Sequence, residues 1–250
     1  GDLHSEQVSE LALARSLEMI PRDFTGSIVL HDAFDHKSRN HHSIDSGFFK
    51  AAMLGESVEG DVIKCITIIN RIARHCGRVF VVRSNHDDAL NRWADSKHYS
   101  PDDDPINALF YYRLKVAALE FIRDQGKAPN LLELACKGLI EGYQVSDNVV
   151  FLGLDESLKI EGVELGTHGH NGTNGARGSA NAFKALNVPI VTGHSHSPAR
   201  NSKHVTVGVV GKLDMGYNSG NTTWDRANCL VYEGGHSVLV PLFDIGETQY

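Results

Sequence analysis

Short apolar runs and longer stretches with helical periodicity alternate along the chain, and they predict where its strands and helices lie. The runs that predict strands are 27–30, 79–82, 149–152, 158–160, 163–166 and 190–192, with closing strands within 203–243 around a turn at 218–221. Apolar residues three and four positions apart predict helices within 8–20, 47–76, 108–122, 130–140 and 180–186. Ser5 and Pro21 are the expected N-cap and stop signal of the first helix.

The pattern changes between about residues 89 and 145, where helical periodicity dominates. We interpret this stretch as a helical insertion of roughly sixty residues between two parts of one domain. Helical segments above clefts commonly control access of substrate, and plain scaffolding is the alternative.

Polar residues suited to metal binding follow several of the predicted strands. Asp32 follows the strand at 27–30, and Asn85 and His86 follow the strand at 79–82. Acidic residues at such positions are costly to bury unless they meet cations, and strand ends are common places for functional sites. The repetition predicts a site at one edge of a sheet.

Two histidine pairs belong to the same pattern. His194 and His196 follow one predicted strand, and His168 and His170 follow another. Residues i and i+2 of an extended segment share a side, so both rings of a pair can converge on one point. Neutral imidazole is the commonest metal ligand in proteins, although an isolated pair is equally compatible with surface histidines in a polar turn.

The chain opens with a related pair, Asp2 and His4, a carboxylate and an imidazole two residues apart. No strand-like run precedes this pair in the sequence. We expect either that the chain is a piece of a longer protein or that the strand beside the pair comes from elsewhere. A frayed terminus is the alternative if the pair is considered alone.

Composition bounds the class of protein. With 250 residues, 41% of them hydrophobic, the chain can bury a full core as a single domain. It has no membrane-length apolar run and no secretory signal, and its four widely spaced cysteines predict reduced thiols in a cytoplasmic protein. The net charge of −7 argues against general adhesion to nucleic acid, but a local basic rim or bound metal ions can reverse the sign of a cleft.

Two loops predict such a rim. The segment 36–42 is basic and rich in histidine, and the glycine-rich segment 171–179 precedes a predicted helix. A glycine-rich loop at a helix start suits an anionic group, although most such loops are merely turns and a solvated loop is the alternative for 36–42. The candidate substrate-binding residues are Arg39, His41, His42, Arg177 and Arg200.

Five motifs occur in order: Asp-x-His at Asp2, Asp-x-x-Asp at Asp32, Asn-His-Asp at Asn85, His-Gly-His at His168 and Gly-His-x-His at Gly193. Over nearly the whole chain, this ordered set resembles the calcineurin-like metallophosphoesterases. His31 and Ser84 stand where that family usually has a glycine before the second and third motifs. Those glycines shape tight turns, so the departures question the local backbone rather than the ligands.

The resemblance implies an α/β fold, a four-layer sandwich of two mixed β-sheets flanked by helices, as one catalytic domain over residues 1–250. It also implies two divalent metal ions at the strand ends, bridged by Asp32. The implied ligands are Asp2, His4, Asp32 and His196 for one ion, and Asp32, Asn85, His168 and His194 for the other. By the same resemblance His86 is the general acid, Asp35 orients it, and His168 rather than His170 is the ligand.

Oxygen and imidazole donors without thiolate suit manganese, with iron, zinc or magnesium as alternatives. Two such ions would lower the pKa of a shared water and neutralise phosphate charge in the transition state. The predicted function is hydrolysis of phosphodiester bonds, as a nuclease acting on DNA, and the glycine-rich loop also resembles phage-encoded members of the family.

Two alternative functions remain at this point. Within the family, the alternative is a phosphomonoesterase or small-nucleotide phosphatase, and outside it a non-catalytic metal-binding scaffold. The expected partners are nucleic acid or another phosphoester and the rest of a longer chain, with no membrane. The expected location is the cytoplasm, that of the host if the protein is phage-encoded.

Overall fold

The computed structural model describes residues 1–39, 55–97, 99–216 and 220–242, which form an α/β protein with mixed sheets. Its α-helices are α1 (Glu10–Glu18), α2 (Val58–Ala73), α3 (Asn85–Ala94), α4 (Pro105–Gln125), α5 (Leu131–Leu134) and α6 (Ala180–Lys184). Its strands are β1 (Ser27–Leu30), β2 (Arg78–Val81), β3 (Val149–Phe151), β4 (Lys159–Ile160), β5 (Val163–Glu164), β6 (Ile190–Thr192), β7 (Ala199–Asn201), β8 (His204–Thr206), β9 (Ala227–Val231) and β10 (Ser237–Pro241). None of the helices described here is long and apolar enough to cross a membrane.

The strands in the described ranges form three sheets. β1, β2 and β3 make a parallel sheet in that order, with β2 at its centre. The second sheet has the order β4, β5, β6, β8, β7, in which the three inner strands are parallel and both edge strands are antiparallel to their neighbours. β9 and β10 form an antiparallel hairpin.

The first residues of the chain join the two larger sheets. Asp2 pairs in parallel with His31, just past β1, and on its other side with Val209, beyond β8. Asp2 N donates to Gly208 O at 2.8 Å, and Leu3 N donates to His31 O at 2.9 Å. The extended backbone beside the Asp-x-His pair therefore comes from distant parts of the same chain.

The main hydrophobic core lies between the parallel sheet and the helices α2, α3 and α4. On α2, Val62, Ile66 and Ile69 are buried at helical spacing, which is the apolar face that the sequence predicts. On β2, Val79 and Val81 face the same core. A smaller cluster covers the second sheet, so each of the two larger sheets has apolar packing of its own.

The first helix differs from its prediction. It begins at Glu10 rather than near Ser5, and the Ser9 side chain caps it by accepting a hydrogen bond at 3.3 Å from the third helical N–H. Ser5 N instead donates to Ala33 O, and residues Ser5–Gln7 form a short 3-10 turn. Because Ser5 pairs with the segment after β1, its backbone is not part of the helix, which begins only at Glu10.

The closing strands lie on both sides of the turn that the sequence predicts at 218–221, with β8 before it and β9 and β10 after it, and residues 217–219 lie outside the described ranges. β9 and β10 are joined by a second turn, through Glu233–Gly235. Gly234 and Gly235 have φ of 77° and 78°. Glycine accepts this left-handed backbone without strain, so a tight reversal is cheapest there.

The helical stretch expected between about 89 and 145 connects β2 to β3. These strands are parallel neighbours, and parallel neighbours require a crossover connection rather than a tight turn. The first helix of the connection, α3, begins earlier than expected, at Asn85, so the third motif lies in its first turn. The last, α5, is short and continues as one π-helical turn over Ala135–Leu139.

A buried side-chain amide at Asn107 attaches α4 to the start of α2. Its Oδ1 accepts from Val58 N at 2.8 Å and its Nδ2 donates to Asp104 Oδ1 at 2.9 Å. Asn107→Ala should lower the free energy of unfolding by about 1–3 kcal/mol, because a buried N–H loses its partner. Asn181→Ala, exposed on α6, should change it by less than about 0.5 kcal/mol. Denaturant titration measures both, and equal losses would contradict the role of Asn107.

Candidate metal centre

The residues implied as ligands come together where several strands end. Asp32 follows β1, Asn85 opens α3 after β2, His168 follows β5, and His194 follows β6. Asp2 lies between the continuations of β1 and β8. Asp32 and Asn85 follow strands of the parallel sheet, whereas His168 and His194 follow strands of the second sheet. The candidate site therefore lies where two sheets meet, with Asp2 between them, and not at the edge of a single sheet as the sequence predicted.

His4, Asp32 and His196 form one group of possible metal ligands. His4 Nε2 lies 2.9 Å from His196 Nε2 and 3.6 Å from Asp32 Oδ2. Asp2 adjoins this group, with its Oδ2 3.5 Å from His196 Nε2. All four residues are buried.

Asp32 also belongs to a second group, with His168 and His194. His168 Nε2 lies 3.2 Å from Asp32 Oδ2, and one ligand atom from each of the three residues lies within 4.8 Å of the others. His170 is not a member of this group, whereas His168 Nε2 contacts the Asp32 carboxylate directly. The geometry therefore favours His168 over His170 as the ligand.

The spacing within the two groups fits the coordination shell of a divalent ion. Ligand atoms about 2.0–2.2 Å from a metal lie roughly 2.9–3.6 Å from one another at octahedral or tetrahedral angles. The contacts of 2.9 Å between His4 and His196 and of 3.2 Å between Asp32 and His168 fall in this range. The buried groups could therefore hold metal ions.

Four buried oxygen atoms of the candidate ligands have no hydrogen-bond partner within the described residues. They are Oδ1 of Asp2, both carboxylate oxygens of Asp32 and Oδ1 of Asn85. Buried polar atoms are normally paired, since an unpaired one costs on the order of 1–3 kcal/mol. Each of the four is an oxygen donor of the type that divalent cations bind.

Backbone strain is concentrated on the same residues. His4, Asp32, His194 and His196 have φ of 45°, 44°, 73° and 57°, in the left-handed region that side chains other than glycine rarely adopt. Such positions cost on the order of 1–3 kcal/mol each and cluster at functional sites. The strained backbone at these four positions accompanies side chains that converge on the two groups of candidate ligands.

Gly193 is required for the close approach of Asp2. A Cβ at this position would lie 1.9 Å from Asp2 Oδ1, a distance that no side chain can occupy. The next residue fixes the other carboxylate oxygen, because His194 N donates to Asp2 Oδ2 at 2.7 Å. The glycine of the fifth motif thus has a steric reason.

The two departures from the family pattern have structural accounts. Ser84 occupies extended backbone and caps α3, accepting from His86 N and Asp87 N at 3.2 Å each. His31 is buried and its ring stacks on that of His168, 5.9 Å away with 29° between the planes. Neither position needs the left-handed turn that a glycine would serve.

Burial keeps two of the histidines in the form that binds metal. It lowers the pKa of His196 to about 2 and that of His194 to about 4, so both rings are neutral. Burial also acts to lower the pKa of His4, but the hydrogen bond to Asp35 and nearby carboxylates outweigh it and raise that pKa to about 9. The carboxylates that draw a proton onto His4 would equally draw a cation.

The pKa values of Asp2 and Asp32 are shifted in opposite directions. Burial raises the pKa of Asp2 to about 6. Burial acts in the same direction on Asp32, but His168 and His86 outweigh it and hold the pKa of Asp32 well below its ordinary value. Asp32 therefore stays ionised at the point where the two groups of ligands meet.

Asp35 has a different principal partner from the one that the resemblance implies. Its carboxylate is hydrogen-bonded to His4 Nδ1 at 2.9 Å, which directs His4 Nε2 into the first group of ligands. His86 Nδ1 is instead hydrogen-bonded to the backbone carbonyl of Asp35 at 3.1 Å and lies 3.5 Å from the carboxylate. Asp35 thus positions His4 with its side chain and His86 mainly with its backbone.

Arg39 is not directed at the site. Its Nε donates to Asp104 Oδ2 at 2.9 Å, and a second guanidinium nitrogen pairs with Oδ1 of the same carboxylate. The planar guanidinium matches both oxygens at once, and this pair attaches the loop to the start of α4. The contact of Arg39 with substrate stays a prediction, while His41 and His42 lie outside the described residues.

The other two predicted cations are both exposed. Arg177 lies in the glycine-rich loop after His170. Arg200 lies on the edge strand β7, where its guanidinium donates to the backbone carbonyl and the hydroxyl of Ser237 on β10. Arg177 is therefore the better placed of the two to meet a substrate near the ligands.

No sequence signal pointed to Glu6 and Gln7, which hold the Asp35 loop in place. Glu6 accepts from the backbone N–H groups of Asp35 and His36, each at 3.0 Å, and Gln7 Nε2 donates to Asp35 Oδ2 at 2.8 Å. Both residues belong to the 3-10 turn after His4. Their proximity to the first motif was the only available hint.

Trp224 lies beside the centre. Its ring packs edge-on against that of His196, with centroids 4.3 Å apart and 74° between the planes, and it is partly exposed. The backbone holds it there, because Asp225 N donates to His196 O at 3.0 Å. A half-exposed aromatic ring next to a ligand is suited to contact a bound molecule.

Among known proteins, the chain is similar to "Protein A1" of Escherichia phage T5. The two are 35% identical over 252 residues, which covers 96% of this chain and 44% of the phage protein. The chain therefore spans less than half the length of this relative. No family model matches the chain, and no solved structure does.

Because Asp32 belongs to both groups of ligands, its loss should affect metal binding most. Asp32→Asn keeps the size of the side chain and removes its charge, and it should weaken binding of Mn²⁺ by more than about 100-fold in isothermal titration calorimetry. Asp103→Asn, exposed before α4, is the matched control and should bind as the wild type does. Unchanged binding by Asp32→Asn would refute the metal centre.

Proposed function

We propose that the protein is a dinuclear-metal phosphoesterase of the calcineurin-like type, with the four-layer sandwich of that family. The observation that carries this proposal is the membership of one buried carboxylate, Asp32, in two groups of ligands. A shared carboxylate of this kind suits a pair of divalent ions, the arrangement of two-metal hydrolases. The two larger sheets, each with its own apolar packing, support the sandwich.

Each proposed ion has a set of donors in the structure. One would be held by Asp2, His4, Asp32 and His196, and the other by Asp32, Asn85, His168 and His194. Mn²⁺ is the ion that we propose for both, since the donors are carboxylate, amide and imidazole without thiolate. Such a pair, when bound, supplies a nucleophile from water near neutral pH and neutralises charge that builds on a phosphate.

His86 is the proposed general acid. An N–H at Nδ1 donates to the Asp35 carbonyl, which leaves Nε2 facing the ligands, 4.0 Å from Asp32 Oδ2. From this position Nε2 can carry a proton and release it to the leaving oxygen of an ester. A scaffold that only binds metal would not need an imidazole held in this way.

The substrate that we propose is a phosphodiester of DNA. A base can stack on the partly exposed ring of Trp224, and Arg177 can meet a flanking phosphate. With a net charge of −7, affinity for nucleic acid has to come from such local contacts and from the metal ions. The relative encoded by a phage is compatible with this activity in the cytoplasm of an infected host.

Replacing His86 should separate chemistry from metal binding. His86→Ala should lower kcat on a small phosphodiester by about 10²–10⁴-fold, since a general acid is lost, while Mn²⁺ content by mass spectrometry stays at the wild-type level. His75→Ala, an exposed histidine after α2, is the matched control and should turn over normally. Normal turnover by His86→Ala would place the acid elsewhere, and loss of Mn²⁺ would make His86 a ligand.

Trp224 should contribute to binding of nucleic acid by stacking. Trp224→Ala should weaken binding of a phosphorothioate oligonucleotide by about ten-fold or more, while Trp224→Phe, which keeps an aromatic ring, should bind close to the wild type. The other tryptophan, Trp93, is buried, so oligonucleotide should quench the fluorescence of the wild type but hardly that of Trp224→Phe.

These binding titrations, together with turnover assays on a mono-ester and on DNA, distinguish the alternatives. Equal binding by Trp224→Ala and the wild type would remove Trp224 from the substrate site and leave the phosphoesterase proposal intact. Fast turnover of a mono-ester with no cleavage of DNA would replace the nuclease by a phosphomonoesterase. Failure to hydrolyse any phosphoester with Mn²⁺ would refute the enzyme itself.

A further inference from the structure

The outer face of α4 carries an apolar stripe that no other described part of the chain covers. Six large apolar side chains on this helix are between 43% and 62% exposed. They are Ile106, Leu109, Tyr112, Val116, Leu119 and Ile122. We call this set the outer stripe. With a patch on the order of 600 Å², it is at the upper end of what a monomeric protein exposes.

Four residues of the outer stripe, Leu109, Tyr112, Val116 and Leu119, lie away from the face that holds α4 in the fold, while Ile106 and Ile122 lie at its borders. Phe110, Tyr111 and Leu114 are buried in the main core. At 100° per residue these three positions lie on the side of the helix opposite to Leu109 and Val116. A helix that only covers a core needs a single apolar face, so the second face calls for a partner.

The spacing of the outer stripe is that of a helix-pairing seam. Leu109, Tyr112, Val116 and Leu119 are three, four and three residues apart, the a and d spacing of a two-stranded coiled coil. The stripe is also nearly palindromic about Leu114. Reversal of the helix exchanges Leu109 with Leu119, Tyr112 with Val116, and Ile106 with Ile122. A surface that is complementary to its own reversed copy is what a two-fold axis requires.

The charges beside the stripe are compatible with antiparallel pairing. Arg113 and Glu120 lie on one flank, seven residues apart, and in an antiparallel pair this flank of one copy faces the same flank of the other. Within its own chain Arg113 Nη1 lies 3.4 Å from Glu59 Oε1, an exposed ion pair of the kind that contributes little to stability. On the opposite flank Lys115 is turned onto Tyr111, with Nζ 3.3 Å from the hydroxyl, and does not oppose its own copy.

The surface beside the stripe has room for side chains of a second helix. A groove of about 350 Å³ runs along α4 and is closed on one side by Leu139, in the turn after α5. Side chains of a facing helix insert into holes of this kind when helices pair. Two stripes together would bury about 1,200 Å², the lower end of the range for specific interfaces.

We propose that two copies of this chain associate through the outer stripes of α4, packed antiparallel about a two-fold axis. The proposal does not depend on the function of the metal centre. Sedimentation velocity over a micromolar concentration range should show a dimer for the wild type. Val116→Asp and Leu119→Asp should each give monomers with unchanged circular dichroism, because each puts a charge into the seam twice. Leu154→Asp, a leucine that is 50% exposed outside α4, is the matched control and should remain dimeric.

Cysteine cross-linking tests the orientation. Leu109→Cys and Leu119→Cys should form an intermolecular disulfide only when the two variants are mixed, because antiparallel pairing places position 109 opposite position 119. Cross-linking of either variant with itself would show parallel pairing and overturn the proposed geometry. Peptide mapping separates these products from those of the native cysteines. A wild type that stays monomeric, or a Val116→Asp variant that stays dimeric, would refute the interface.

Discussion

A fully buried, ionised carboxylate at Asp32 is the constraint on which the surrounding structure depends. Such a charge is tolerated only where other groups compensate for the lost hydration, and here imidazoles of His4 and His168 lie within 3.6 Å of it. Their positions are set by three separate parts of the chain. β1 ends just before Asp32, the first residues lie between two sheets and bring His4, and the segment after β5 in the second sheet brings His168. The backbone is left-handed at both His4 and Asp32, with φ of 45° and 44°.

A second layer of polar contacts makes the arrangement rigid. Asp35 holds His4 by one carboxylate oxygen and accepts from Gln7 by the other, while Glu6 holds the backbone of the same loop. Each of these bonds is modest alone, but together they fix the direction of a ring that carries a donor atom into the site. This explains why a carboxylate implied as the partner of His86 is mainly the partner of His4: the ligand needs a fixed direction, and the carbonyl of Asp35 already suffices for His86.

The hydrophobic pattern of the sequence predicted the features of the fold that depend only on neighbouring residues. The strands at 27–30 and 190–192 appear at the expected residues, because short apolar runs bounded by polar residues leave little choice. That Asp32 and His194 lie at strand ends was predicted, but not that these strands belong to two different sheets. The pairing of Asp2 with Val209, the ion pair of Arg39 with Asp104 and the turn at Glu233–Gly235 did not follow, since each depends on which distant segments meet. The hydrophobic periodicity of a segment does not predict which distant segment it contacts. The resemblance in five motifs predicts the candidate ligands, but not the residues that surround them.

The helix α4 links the candidate metal centre to the proposed dimer interface. Its buried face carries Tyr111, whose ring packs edge-on against Trp93 at 5.2 Å, and Trp93 in turn lies 5.8 Å from His36 in the Asp35 loop. The same helix presents Tyr112 and the rest of the outer stripe to solvent. This continuous packing fixes where α4 lies relative to the Asp35 loop. We see no element in it with two alternative arrangements, so we do not interpret it as a conformational switch. Pairing of two α4 helices would therefore fix the distance and orientation between two candidate metal centres about the two-fold axis. Such an arrangement suits an enzyme that acts on an extended polymer with repeated phosphates better than one that acts on a small mono-ester.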